Sequence, residues 1–185
     1  MKHISFGLTA VLMSSTLHAA QTPKKLETEV TRKVSVGYQL HLPEGYDSDK
    51  DKKWPVILFL HGAGERGDNL DQVTKHGPPK LAKQGKKIPF IVISPQCPKN
   101  KLWDNGILIA LLDHVLDKHQ CDPKRIYLTG LSMGGFGTFS LGLAHPERFA
   151  AMAPICGGGE WIKVYGAKRA KPQAFQTLGV WAFHG

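Results

Sequence analysis

The sequence is short of cysteine and of long apolar runs. It has only three cysteines, Cys97, Cys121 and Cys156. No two of them form a C-x-x-C pair, which argues against a structural zinc site. Three cysteines allow at most one internal disulfide, and spacing does not select the pair. Buried free thiols fit the pattern equally well. No apolar run approaches the roughly 20 residues that cross a bilayer, so no membrane span is expected. There is no internal repeat and no low-complexity tract, which excludes solenoids and disordered linkers. Acidic residues are outnumbered by basic ones, 15 to 24, for a formal charge of +9. The basic residues are scattered over Lys50–Lys53, Lys80–Lys87 and Lys163–Lys171 and form no nucleic-acid motif. They read mostly as solvated faces, with a weak preference for anionic surfaces or acidic polymers.

The remaining composition is that of an ordinary globular domain, with 42% hydrophobic and 21% charged residues in a chain of 185. The first twenty residues stand apart. Lys2 and His3 precede an apolar run from Ile4 to Met13, and small residues follow as far as Ala19 and Ala20. This is the layout of a secretory signal peptide, so residues 1–20 are expected to be removed and the protein to be secreted or periplasmic. A buried N-terminal helix is the competing reading. Residues 21–185 are then one domain.

Along that domain, strands alternate with helices. Thr31–Leu42 alternates apolar and polar residues, as a half-buried strand does. Trp54–Leu60 and Ile88–Ser94 are apolar throughout, as in strands of a parallel sheet covered on both faces. Ile107–His119 carries Leu108, Leu111, Leu112 and Val115 at helical spacing, with Asp104 or Asn105 as its cap. Further strands are expected at Arg125–Thr129, Phe149–Ile155 and Leu178–Phe183, with a helix over Met133–Ala144. A short helix starts near Asp68 or Asn69, and Gly77-Pro78-Pro79 ends that stretch. The alternation predicts an α/β fold with a doubly wound, mainly parallel sheet. Sites in such sheets lie at the carboxyl ends of the strands.

Two glycine-rich motifs fall at such ends. Gly130-Leu131-Ser132-Met133-Gly134 follows one strand and opens a helix, the context of a nucleophile elbow. Gly130 and Gly134, lacking Cβ atoms, let strand and helix approach around Ser132. The helix N-terminus favours negative charge that develops there. A glycine-rich loop with an ordinary serine is the bland alternative. His61-Gly62-Ala63-Gly64 ends the earlier strand Trp54–Leu60. A tetrahedral intermediate needs two backbone N–H donors for its oxygen. Met133, after the nucleophile, supplies one, and Ala63 the other, with Gly64 as second choice. His61, Gly62, Gly64 and Trp103 are the candidate substrate-contacting residues. His61 precedes the serine, whereas elbow enzymes order their triad serine, acid, histidine; His61 is therefore read as support for the turn rather than as base. Trp103 and Trp161 are candidate pocket walls, with ordinary packing as the competing role.

LHGAGERGDN (Leu60–Asn69), HGPPKL (His76–Leu81), SPQCP (Ser94–Pro98), DPKRIYLTGLSMGG (Asp122–Gly135) and AHPERFAAMAPICGG (Ala144–Gly158) resemble secreted carboxylesterases of the phospholipase/carboxylesterase-like group. These are α/β-hydrolases related to polyhydroxybutyrate depolymerases and feruloyl esterases. The resemblance covers roughly residues 30–185. It implies hydrolysis of an ester, small or polymer-linked, by a Ser-Asp-His triad without metal or organic cofactor, with Ser132 as nucleophile and Ala63 and Met133 at the oxyanion positions. It also places the acid a few residues past the His184-Gly185 end and the histidine later still, so the fold is expected to be incomplete at the C-terminus. Glu160 is a weaker candidate for the acid. A second reading stays open: a non-catalytic pseudo-hydrolase that binds acidic or plant-wall polysaccharide. The ester itself and the oligomeric state are not legible.

Overall fold

The computed structural model describes residues 21–185; the expected leader, residues 1–20, lies outside the described residues. The chain divides into two units, Met1–Arg32 and Lys33–Gly185. The described part of the first, residues 21–32, is without helix or strand. The second holds every helix and strand among the described residues.

Its strands are β1 (Tyr38–His41), β2 (Trp54–Leu60), β3 (Ile91–Pro95), β4 (Cys121–Leu131), β5 (Ala151–Ile155) and β6 (Gly179–Val180). They form one sheet in the order β1-β3-β2-β4-β5-β6. β1 runs antiparallel to β3, and every other pairing is parallel. The helices are α1 (Gly77–Lys83), α2 (Asn105–Lys118), α3 (Met133–Ala144), α4 (Trp161–Ala170) and α5 (Pro172–Thr177). Among the described residues, no helix is long and apolar enough to cross a membrane.

The core explains the apolar runs. Val56, Leu58 and Leu60 of β2, Ile91 and Ile93 of β3, and Ile126 and Leu128 of β4 are buried. They pack in one cluster with Leu108, Leu111, Leu112 and Val115 of α2 and with Leu141 of α3. The stripe of α2 was thus readable from its spacing. Asp104 caps it, accepting a hydrogen bond from the Ile107 N–H at 3.0 Å, while Asn105 turns its amide to Ser140.

Four local features differ from the sequence expectation. The first strand contracts from Thr31–Leu42 to Tyr38–His41, the stretch that pairs with β3. Gly77-Pro78-Pro79 opens a helix instead of closing one. Proline lacks only an N–H that the first turn leaves unbonded anyway, and Gly77 enters at φ 61°. β4 begins before Pro123: the pairing passes from Trp54↔Cys121 to Val56↔Ile126, and this irregularity absorbs the proline, as bulges do. The last strand keeps only Gly179–Val180, with an isolated bridge from Phe183 to Ile155. α4 and α5 had no clear sequence signal.

Candidate active site

Ser132 stands between the end of β4 and the start of α3 with φ 54° and ψ −114°. Few non-glycine residues adopt this conformation, and it persists only where the surroundings enforce it. Here they do. The Ser132 N–H donates to the Ile155 carbonyl at 2.8 Å, and the Ser132 carbonyl accepts from the Phe136 N–H at 3.0 Å. A Cβ on Gly134 would lie 1.8 Å from the Leu60 carbonyl oxygen, and one on Gly130 would lie 2.4 Å from the Gly134 carbonyl oxygen. β2, β4 and α3 meet there backbone to backbone. Ser132 itself is exposed. Met133 opens α3, so its N–H belongs to the first turn, where no intrahelical acceptor exists.

The turn after β2 lies beside this elbow. A Cβ on Gly62 would sit 3.8 Å from the Ser132 Cβ. Ala63 and Gly64 are exposed. The turn is held from below. His61 is 1% exposed. Its Nε2 accepts the Cys97 N–H at 3.0 Å, which leaves the proton on Nδ1, and Nδ1 donates to the Gly62 carbonyl at 2.6 Å. Burial holds this imidazole below the ordinary histidine range, although its bond to Gly62 and the nearby Glu65 act the other way. Trp103 donates Nε1–H to the His61 carbonyl at 3.3 Å and meets the His61 ring edge-on at 4.8 Å between centroids. Arg66 donates Nε–H to the Ala63 carbonyl at 3.0 Å. Two supporting residues, Glu65 and Gln96, are not legible as such in the sequence. Glu65 is buried, with its carboxylate 3.6 Å from His76 Nε2, and its carbonyl accepts from Gln96 Nε2 at 2.5 Å. The Glu65-Arg66 pair directly after the glycine turn is the available signal.

A cleft of about 720 Å³ opens at Ser132. Trp103, Phe136, Phe139 and Leu143 give it apolar walls, and Glu160 and Lys163 stand on its rim. Phe136, Phe139 and Leu143 recur at the three- and four-residue spacing of one α3 face, a pattern present in the sequence outside the glycine-rich motifs. Gly137 makes room for the indole: a Cβ there would be 2.7 Å from Trp103. Trp161, the other candidate wall, is 77% exposed and is not among the lining residues.

No histidine among the described residues is hydrogen-bonded to Ser132. His61 has both nitrogens engaged. His76 faces Glu65, His119 bonds the Tyr46 hydroxyl at 3.3 Å, and His145 lies 3.8 Å from Glu147 at the far end of α3. The Glu160 carboxylate is bonded to Lys163 at 2.7 Å. Among the described residues, no group of three or more His, Cys, Asp or Glu side chains could hold a metal ion. The three cysteines are unpaired: Cys97 and Cys121 are buried and Cys156 is exposed. Burial pushes the Cys121 thiol up to about 11.

A strained serine at a strand-to-helix turn of a mainly parallel sheet, flanked by a second glycine turn, defines an α/β-hydrolase. Within that class the chain belongs to the esterase family: residues 30–164 match the family model "Esterase", described as "Putative esterase". A solved structure titled "Crystal Structure of a Thermostable Esterase" superposes with a TM-score of 0.61 at 29% identity, covering 82% of this chain and 52% of that one. The chain is 30% identical over 128 residues to a bifunctional acetylxylan esterase/xylanase of Neocallimastix patriciarum, covering 63% of this chain and 17% of that protein. It is 26% identical over 139 residues to feruloyl esterase B of Thermothelomyces thermophilus, covering 67% and 45%. The chain therefore spans less than half the length of these curated relatives. The expected relationship to feruloyl esterases holds.

Proposed function

We propose that the protein is a secreted or periplasmic serine hydrolase of carboxylic esters. Ser132 Oγ attacks the ester carbonyl, the alcohol leaves, and water releases the acid from the acyl-enzyme. The Met133 and Ala63 N–H groups stabilise the oxyanion, with Gly64 as the neighbouring donor. The observation that carries this reading is the backbone of Ser132, held at φ 54° and ψ −114° at the carboxyl edge of the sheet. A binding protein gains nothing from that strain, which speaks against the pseudo-hydrolase reading. The base that takes the Ser132 proton is not assigned to any described residue.

In this reading the candidate substrate-contacting residues take different parts. His61 is buried with its ring nitrogens engaged, so we assign it to holding the turn. Gly62 and Gly64 shape the turn beside Ser132. Trp103 remains a wall of the cleft. The relatives named for acetylxylan and feruloyl esters support an ester carried on a polysaccharide, with the acyl group seated between Trp103 and Phe136.

The test is turnover of p-nitrophenyl acetate and release of acetate from acetylated xylan by the native protein. Ser132→Ala is expected to lower kcat by a factor on the order of 10³ or more. Turnover unchanged in that variant, or absent from the native protein, would remove the proposal.

A further inference from the structure

Among the described residues, helix α4 packs with its large apolar side chains outward. Its one buried residue is Ala167, at 8% exposure. The opposite stripe, at four-residue spacing, is Trp161, Tyr165 and Arg169, with Ile162 at its side. Trp161 is 77% exposed, Tyr165 56% and Ile162 52%. An ordinary surface helix turns its large apolar residues inward and its charges outward. α4 turns a small residue inward and two aromatic rings outward. Lys163, Lys168 and Arg169 are exposed, as the sequence reading of Lys163–Lys171 as a solvated face requires; what that reading does not include is the aromatic side chains interleaved with these cations.

We propose that this stripe is a docking surface for an acidic polysaccharide that carries the ester cleaved at Ser132. Three observations select this occupant. The first is ring placement: Trp161 and Tyr165 lie one helical turn apart, roughly 6 Å along the axis. Exposed aromatic planes so spaced can pack on the apolar C–H faces of successive sugar rings while their polar edges stay in water. The second is charge. Lys163 and Lys171 are neutralised by Glu160 and Glu147. Among the described residues, no salt bridge or side-chain hydrogen bond engages the exposed Lys168 and Arg169, in a chain of formal charge +9. Arg169 completes the aromatic stripe, so a carboxylate borne by the polymer meets a guanidinium at the end of the stacking platform. The third is continuity: Glu160 and Lys163, at the start of the same helix, stand on the rim of the Ser132 cleft. A chain lying along α4 passes the cleft mouth. A lipid surface fits less well, because α4 has only ten residues and interrupts its exposed apolar positions with lysine and arginine.

This inference deepens the ester-hydrolase reading and rests on it for the role of the cleft. Its test is affinity electrophoresis of the native protein through gels containing polygalacturonate, with dextran as the neutral control. Polygalacturonate is expected to retard the protein and dextran to leave it unaffected. Trp161→Ala/Tyr165→Ala should weaken retention about tenfold, the loss typical of removing aromatic anchors. Arg169→Glu, which leaves the rings in place, should weaken it as well. Turnover of p-nitrophenyl acetate should be unchanged in both. Equal mobility in both gels, or retention undiminished in both variants, overturns the proposal. So does a dimer that dissociates in the variants, or binding to phosphatidylglycerol vesicles in place of polygalacturonate. Retention without any p-nitrophenyl acetate turnover would instead sink the esterase reading and leave the surface standing.

Discussion

At Ser132 the backbone sets stability against chemistry. A serine at positive φ costs roughly 1–3 kcal/mol that glycine would avoid, against roughly 0.5–1 kcal/mol of extra chain entropy for glycine. Ser132→Gly is therefore expected to abolish turnover while raising stability by about 1 kcal/mol in urea or thermal melts. A destabilised variant would mean that the hydroxyl contributes bonds of its own to the fold. His61 gives the second residue-scale prediction. Burial lowers its pKa in the folded protein, so below the ordinary histidine value of about 6.5 the unfolded chain takes up a proton that the folded one refuses. The neutral His61 network thus contributes stability above that pH, and the contribution is lost as pH falls from about 6.5 toward the depressed folded value. Melting temperature should drop more steeply between about pH 8 and pH 5 in the native protein than in His61→Gln. Parallel curves would contradict the assignment of a buried neutral imidazole.

At the scale of elements, the glycines divide into those that clamp and those that do not. A methyl on Gly134 would collide with the Leu60 carbonyl at 1.8 Å, and two backbones cannot give way as side chains do. Gly134→Ala should cost at least about 3 kcal/mol or prevent folding. At Gly166, within α4, an added methyl would meet nothing within 4 Å. Gly166→Ala should stabilise by about 0.5–1 kcal/mol, because alanine is the better helix former. Chemical denaturation of both variants separates the two classes. The same contrast explains what can be read from sequence. Trp54–Leu60 and the Leu108-to-Val115 stripe are legible because burial on both faces, or on one helical face, writes itself into the spacing of apolar residues. The elbow is legible because close approach demands glycine at fixed offsets from Ser132. Gly77-Pro78-Pro79 misleads because proline opens helices as readily as it ends them. α4 escapes because its apolar residues face outward, where the usual periodicity argument does not look. Glu65 escapes because a buried carboxylate is recognisable only once His76, Gln96 and Gly62 have been brought to it by the fold.

At the scale of the whole molecule, strand order assembles the site. β4 lies between β2 and β5, so the carboxyl ends of three strands distant in sequence meet around Ser132. β2 delivers the His61–Gly64 turn, β4 delivers the serine, and β5 delivers the Ile155 carbonyl that fixes its backbone. No one of these segments is a site by itself. The central claim is that this convergence makes Ser132 a nucleophile. The most direct measurement is intact-mass and peptide mapping of the native protein after treatment with a fluorophosphonate at mildly alkaline pH. One adduct per chain on the peptide containing Ser132, absent in Ser132→Ala, is the predicted result. An unmodified native protein, or an adduct that persists in Ser132→Ala, would contradict it.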